Sequence, residues 1–154
     1  MSRYVKSYFS PNRGGADIVA GFIDRCENTI DVAVYSITHD KISDALVRAQ
    51  QRGVTVRVIM DRTQSKNRWS DDEKLQEAAI PVQLGGQSWM SSMHNKFIIG
   101  DGQSVGTGSF NWTKNAAERN SENFVIIRLL YVVREFQEEF DSLWIQTATV
   151  PEVP

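Results

Sequence analysis

Between residues 93 and 112 the chain reads MHNKFIIGDGQSVGTGSFNW. The stretch places His94, one of only two histidines, two residues before Lys96, and later sets Ser109 two residues before Asn111. Side chains of an extended strand alternate between faces, so a strand over 93–99 points His94, Lys96 and Ile98 one way and Asn95, Phe97 and Ile99 the other. If the Gly100-Asp101-Gly102 turn closes a hairpin, Ser109 and Asn111 lie on the adjacent strand. An imidazole, an ammonium, a hydroxyl and an amide then converge. That set suits a phosphate: Lys96 supplies charge, Ser109 and Asn111 supply neutral donors, and Gly106 and Gly108 let backbone come close. Each piece alone has a plainer reading, as a solvated histidine, a snorkelling surface lysine, or turn and bulge glycines. Their co-occurrence at two-residue spacing on consecutive strand candidates is what points to chemistry.

The elements that must hold these residues follow from periodicity. Residues 4–9, YVKSYF, read as a short first strand; SPNRGG turns, and Ala16 to Cys26 is a helix with Ile18, Val19, Phe22 and Ile23 inward. TIDVAVYS, 29–36, is β-branched and aromatic and reads as a buried strand. Asp40 to Gln51 carries Ile42, Ala45, Leu46 and Ala49 at helical spacing with Gly53 as its stop, and VTVRVIMD, 54–61, is the next strand. So short an exit from helix to strand predicts a parallel pair with a right-handed crossover. Ser70-Asp71-Asp72-Glu73 predicts a capping box for a helix of about two turns ending near Ala79, before Pro81. PVQLGG, MHNKFIIG, QSVGTGSF and ENFVIIR are further strand candidates. Leu129 to Ile145 puts Val132, Val133, Phe136, Phe140, Leu143 and Trp144 on one face of a long amphipathic helix. The expected fold class is α/β, a mixed β-sheet flanked by helices on both faces.

The bounds on function come from composition. A length of 154 residues predicts a single domain, 1–154, with a real core. With 41% hydrophobic and 23% charged residues the chain is neither disordered nor fibrous in type. A net charge of -2 excludes a wholly basic nucleic-acid glove, so any grip on phosphates must be local. Cys26 is the single cysteine, which rules out an intramolecular disulfide and a Cys-based metal site. No run of 18 apolar residues is present. Residues 1–9 lack the apolar core of a signal peptide; the compartment expected from the sequence as given is the cytoplasm, or the periplasm or exterior if a leader was removed.

His94-x-Lys96-x4-Asp101, followed by Gly108-Ser109-x-Asn111, resembles the HKD motif of the phospholipase D superfamily, and Glu122 in NSENFVII falls where that family usually carries an acidic residue. SPNRGGADIV, the run from Thr29 to Asp61, and NWTKNAAERNSEN also resemble the small single-motif bacterial endonucleases of this superfamily, so the likeness covers residues 7–145. It implies a phospholipase D-like fold and two-step cleavage of a phosphodiester. One histidine attacks phosphorus to give a phosphohistidine; a second, protonated one releases the leaving alcohol and then activates water. On this resemblance neutral His94 is the nucleophile, and Lys96 and Asn111, with Ser109, stabilise the non-bridging oxygens. Glu122 hydrogen-bonds the remaining imidazole nitrogen and fixes its tautomer, in its own chain or across to a partner. Asp101 completes the catalytic motif, yet reads as support at the strand end rather than as a reactant.

Superfamily phospholipases carry two such motifs in one chain, whereas this sequence has one. His39-Asp40-Lys41 repeats the His-x-Lys half, but Leu46 occupies the Asp position and the segment opens a predicted helix, where two-residue spacing does not align side chains. His39 therefore reads as a loop or helix-entry residue. A twofold homodimer that brings two copies of His94 to one shared site supplies the missing group. Two such coupled imidazoles predict a bell-shaped pH dependence.

There is no His-x-x-x-His pair or Cys cluster. Asp31 and Asp61 are the carboxylates open to Mg²⁺, though strand-end aspartates are common for other reasons; the expectation is hydrolysis with no metal and no cofactor, surviving a chelator. For substrate binding, Arg62, Lys66, Arg68 and Trp69 follow the strand that ends at Asp61, and Lys114 and Arg119 follow the motif. In open α/β sheets the C-terminal strand ends face the ligand crevice. Basic residues with an aromatic fit a nucleic-acid backbone grip plus base stacking, against the plainer alternative of a solvated polar loop. Trp89 and Met90 are candidates to meet a base or an acyl chain, and Trp112 to pack. The expected function is a nonspecific endonuclease on DNA or RNA. A phospholipase is the enzymatic alternative, set back because no amphipathic helix with a basic face is evident, so no stable membrane association is expected. A nucleic-acid-binding module that kept the phosphate pocket is the non-enzymatic one.

Overall fold

Two apolar runs, TIDVAV and TVRVIMD, are the most strand-like in the chain, and they pair as neighbours inside the sheet. The computed structural model describes residues 4–11, 14–86 and 91–148. Along the chain the elements are β1 (Val5–Phe9), α1 (Gly15–Asp24), β2 (Thr29–Val34), α2 (Asp40–Gln51), β3 (Thr55–Asp61), α3 (Arg62–Ser65), α4 (Asp72–Glu77), β4 (Val82–Gly85), β5 (Lys96–Gly100), β6 (Ser104–Gly108), α5 (Lys114–Glu118), β7 (Asn123–Ile127) and α6 (Leu130–Ala148). The strands form one mixed sheet in the order β1-β7-β6-β5-β2-β3-β4. As the short exit from α2 predicts, β2 and β3 are parallel, and β4 continues the parallel run. On the other side β5 lies antiparallel to β2, the β5–β6 hairpin follows, and β7 and β1 complete an antiparallel half.

These directions put the C-terminal ends of β2, β3, β4 and β6 on one rim of the sheet with the N-terminal starts of β5 and β7. Side-chain alternation divides the core in two. Ile30, Val32, Val34, Val56, Val58 and Met60 pack with Ile98 beneath α1 and α2. Ala33, Ile59, Phe97, Ile99 and Val105 face the other way, onto α6. The α6 stripe expected from the sequence packs as read: Val133 and Phe140 are buried, and Val132, Phe136, Leu143 and Trp144 pack against the same cluster. A charged clamp holds this helix in place. Arg57 bonds Asp31 through two nitrogens at 2.7 and 2.8 Å, reaches Asp141 at 3.1 Å, and lies 4.8 Å from the Phe140 ring centroid.

Four local expectations are corrected. The Ser70–Glu73 capping box does not form: α4 begins after Asp71 with no side-chain cap, and Ser70 Oγ is buried without a partner among the described residues. Two short helices, α3 and α5, stand where no apolar periodicity predicts them, because side-chain caps build them: Asp61 accepts from the backbone N–H groups of Thr63 and Gln64, and Thr113 from that of Ala116. The strand expected over 93–99 begins only at Lys96. That expected over QSVGTGSF ends at Gly108.

Candidate active site

Because β5 starts at Lys96, His94 sits on the loop before it, not on the strand, and is exposed. The pairing expected from the spacing is nevertheless present. Lys96 Nζ lies 3.2 Å from His94 Nδ1 and 3.3 Å from Nε2, and donates to the His94 carbonyl at 2.9 Å. The loop is anchored from below by Asp61, a fully buried carboxylate at the end of β3. Asp61 accepts from the Met93 backbone N–H at 2.9 Å and from that of Thr63 at 2.9 Å, which ties the start of the His94 loop to α3.

Tyr35, the residue after β2, is a site neighbour that sequence reasoning passed over. Its ring centroid is 4.7 Å from that of His94 at a tilt of 58°, and Lys96 Nζ lies 5.5 Å from it. The Tyr35 hydroxyl accepts a hydrogen bond from Gln64 Nε2 at 3.0 Å. At the end of an apolar run it reads as one more core residue; its place at a C-terminal strand end was the available signal.

Ser109 and Asn111 lie beyond β6, on the same rim. Ser109 Oγ donates a short hydrogen bond to Glu122 Oε2 and accepts from the Asn123 backbone N–H at 3.1 Å. The other carboxylate oxygen, Glu122 Oε1, accepts from Asn120 Nδ2 at 3.1 Å, so residues of its own chain orient Glu122. Burial draws the Lys96 ammonium below the ordinary lysine value, and the charge of Glu122 opposes that fall, which places both in one electrostatic unit. Asn111 is half-buried, and its Oδ1 has no hydrogen-bond partner among the described residues.

Comparison with known proteins decides the family. Residues 19–144 match the family described as "Cardiolipin synthase, PLD-like domain". The chain belongs to the phospholipase D superfamily. A Phospholipase D of Rickettsia felis is 38% identical over 141 residues, 92% of this chain and 68% of that protein. A Mitochondrial cardiolipin hydrolase of Chlamydomonas reinhardtii is 37% identical over 123 residues, 80% of this chain and 54% of that protein, so this chain spans about half the length of the algal relative. Among solved structures, Nuc, a phospholipase D family member from Salmonella typhimurium, superposes with a TM-score of 0.86 at 33% identity, covering 92% of this chain and 94% of the other. NucT from Helicobacter pylori shares the fold, with a TM-score of 0.83 at 24% identity.

Within this phospholipase D fold the remaining motif residue stands apart. Asp101 closes the β5–β6 turn at the opposite end of β5 from Lys96, about 17 Å away along five strand residues. Its carboxylate accepts from the backbone N–H groups of Glu27, Asn28 and Thr29 at 3.0, 2.7 and 2.9 Å. Burial pushes this carboxyl up, but the three backbone bonds together hold it below its ordinary value. Asp101 touches none of the other motif side chains and supports the entry to β2. The glycines are corrected too. A Cβ on Gly106 would lie 2.3 Å from the Phe124 ring, and one on Gly108 would lie 2.2 Å from the Asn123 carbonyl oxygen, so both serve strand packing against β7 rather than approach to a ligand.

The residues expected to bind substrate divide. Arg62 spends its guanidinium on the Leu84 carbonyl at 3.1 Å, and Lys66 ends α3 with its side chain exposed. Arg68, Trp69 and Lys114 come together around a cleft of about 700 Å³ that Thr38 and Asp71 also line. His39 is the helix-entry residue it was read as, the N-cap position of α2. Asp31 and Asp61, the carboxylates open to Mg²⁺ in the sequence, are both engaged, by Arg57 and Gln137 and by the backbone at Thr63 and Met93. Trp112 packs as expected, 1% exposed, while Trp89 and Met90 lie outside the described residues.

Proposed function

We propose that the protein is a metal-independent phosphodiesterase that cuts DNA or RNA through a phosphohistidine, at a site completed by a second copy of the chain. The observation that carries the reading is the His94–Lys96 pair, an exposed imidazole with an ammonium 3.2 Å away on the rim where the strand ends converge. A phosphodiester bound there meets His94 as nucleophile: an N–P bond forms, the P–O bond to the leaving group breaks, and the departing oxygen takes a proton from the second histidine. Water then attacks phosphorus, that histidine takes its proton, and the N–P bond breaks to regenerate His94. Lys96 and the half-buried amide of Asn111 offset charge on the non-bridging oxygens. Glu122, held by Ser109 and Asn120, sustains the Lys96 charge; orienting an imidazole, its own or the partner's, is the role the family resemblance assigns it.

The motif supplies one histidine, and His39 stands at the N-cap position of α2. A twofold dimer across the rim therefore supplies the acid. Nucleic acid is favoured as substrate by the cleft where Arg68, Trp69 and Lys114 meet, and by the sequence likeness to bacterial endonucleases. The names of the algal and rickettsial relatives favour a second reading, hydrolysis of a phospholipid. Wild type and His94→Ala are to be compared on labelled DNA, RNA and phosphatidylcholine or cardiolipin vesicles, all in EDTA. Nucleic-acid cleavage lost in the variant supports the proposal. Cleavage of lipid alone establishes the second reading, and activity that requires added Mg²⁺ overturns the histidine mechanism.

A further inference from the structure

We infer that the cleft beside the catalytic rim is a seat for one unpaired nucleobase, with Trp69 as its stacking platform, so that the enzyme prefers single-stranded nucleic acid; this rests on the nuclease reading above. The argument starts from exposure. Trp69 is 65% exposed, with the Arg68 guanidinium over its ring at 4.6 Å from the centroid. Lys114, at the start of α5, lines the same cleft. Two cations and an exposed aromatic face are what a flexible strand needs for its phosphates and one base.

Acidic groups share the lining. The Asp71 carboxyl lies beside Ser43 and Lys74, and Asp40 also lines the cleft. These carboxylates repel phosphate, so the backbone is held toward Arg68 and Lys114 while a base meets Trp69. The exposed ring face requires an unpaired base, because a duplex hides the faces of its bases.

The seat is also in register with the chemistry. Tyr35 lies against His94, and three residues further on Thr38 lines the cleft, at most about 10 Å of extended chain away. The two walls are tied to the rim by backbone: Thr38 N–H donates to the Trp112 carbonyl at 2.9 Å, Trp112 N–H to the Ser36 carbonyl at 3.1 Å, and Asp71 N–H to the Ile37 carbonyl at 3.0 Å. A strand whose phosphate sits at His94 thus places a neighbouring base in the cleft.

The test compares wild type, Trp69→Ala and Trp69→Phe on four substrates: a single-stranded oligonucleotide, the same strand with abasic sites, its duplex, and bis(p-nitrophenyl) phosphate, which has no base. Trp69→Ala is expected to lose about 5- to 150-fold in kcat/KM on the single strand, as removal of one base stack does, with Trp69→Phe retaining most of the rate. The ratio of single-strand to bis(p-nitrophenyl) phosphate turnover should therefore fall in Trp69→Ala, and the abasic strand should be cut no better by wild type than by Trp69→Ala. Equal losses on bis(p-nitrophenyl) phosphate and the oligonucleotide, or no preference of wild type for single strands over the duplex, overturn the base seat while leaving the nuclease reading standing. Turnover of bis(p-nitrophenyl) phosphate without cleavage of any nucleic acid overturns both.

Discussion

Gly108→Ala should disable the enzyme without removing a reacting group. Gly108 ends β6, and Ser109 and Asn111 follow directly. The added methyl would lie 2.2 Å from the Asn123 carbonyl oxygen and 2.9 Å from the carbonyl carbon, backbone atoms that cannot rotate away. Ordinary contact begins near 3.4 Å, so β6 and β7 must part by about 1.2 Å at the rim. That is where Ser109 meets Glu122 and the Asn123 N–H. Forced insertion of a methylene-sized group costs about 1–3 kcal/mol, and 1 kcal/mol moves the melting midpoint of a chain this size by about 2–4 °C. A 1 Å misplacement in a catalytic constellation costs about 100-fold in rate. The control is Gly102→Ala, at φ 61° in the turn beyond β5, where an added Cβ meets nothing within 4 Å. It bears only left-handed backbone strain, about 1–2 kcal/mol. The assay is thermal melting beside turnover of bis(p-nitrophenyl) phosphate. Both variants should melt lower, and only Gly108→Ala should lose turnover. Full turnover by Gly108→Ala, or an equal loss in Gly102→Ala, would refute the claim that the β6–β7 rim sets the site.

Four further expectations can be checked alongside. Asp61→Ala leaves the buried Met93 N–H and the part-buried Thr63 N–H unanswered, so urea unfolding should show a loss of about 1–3 kcal/mol and kcat should fall as the His94 loop slackens; Asp61→Asn, which keeps one acceptor oxygen, should lose less of both. Because burial lowers Lys96 and Glu122 opposes that fall, Glu122→Gln should shift the alkaline limb of the pH–rate profile to lower pH; an upward shift would contradict the coupling. The Asp101 carboxyl is held below its unfolded value, so the stability it contributes is present above that value and is lost as pH falls through the folded one. Chemical denaturation should therefore find Asp101→Asn about 1–2 kcal/mol less stable at neutral pH, with the gap closing in acid. Arg57→Ala strands the nearly buried Asp31; a loss of about 2–3 kcal/mol by calorimetry, with rim chemistry intact, is expected, below a fully buried pair because Arg57 is 30% exposed.

What the sequence revealed depended on how far each pattern extended. The β2–α2–β3 unit and the α6 stripe were legible because apolar positions run the length of each element, four at helical spacing in α2 and six in α6, and burial followed them closely. The motif's polar spacing was legible too, and His94 and Lys96 meet as it implies. The geometry behind it was not. Two-residue spacing suggested two aimed strands, whereas the side chain of Asp61 takes the Met93 N–H, β5 begins only at Lys96, and His94 is left on a loop. Helices α3 and α5 span four and five residues, too few for periodicity to register, and each rests on a single cap. The Ser70–Glu73 pattern misled for the opposite reason: the local signal was complete, but the Asp71 N–H bonds Ile37 and draws the segment against another loop. Tyr35 escaped notice because aromatic residues at strand ends serve core and site alike.

The Asp61 link to Met93 bears on how portable this chemistry is. Residues His94 to Glu122 contain the whole motif within a hairpin and one short helix, a compact cassette by sequence. Its loop is tied through Asp61 and flanked by Tyr35, both at the far ends of strands formed much earlier in the chain. A segment moved alone into another scaffold would carry the reacting groups but not the carboxylate that fixes where they start. The unit that can be inherited, shuffled or engineered intact is thus the sheet from β2 to β7, and the short signature by which it is recognised is only its visible part.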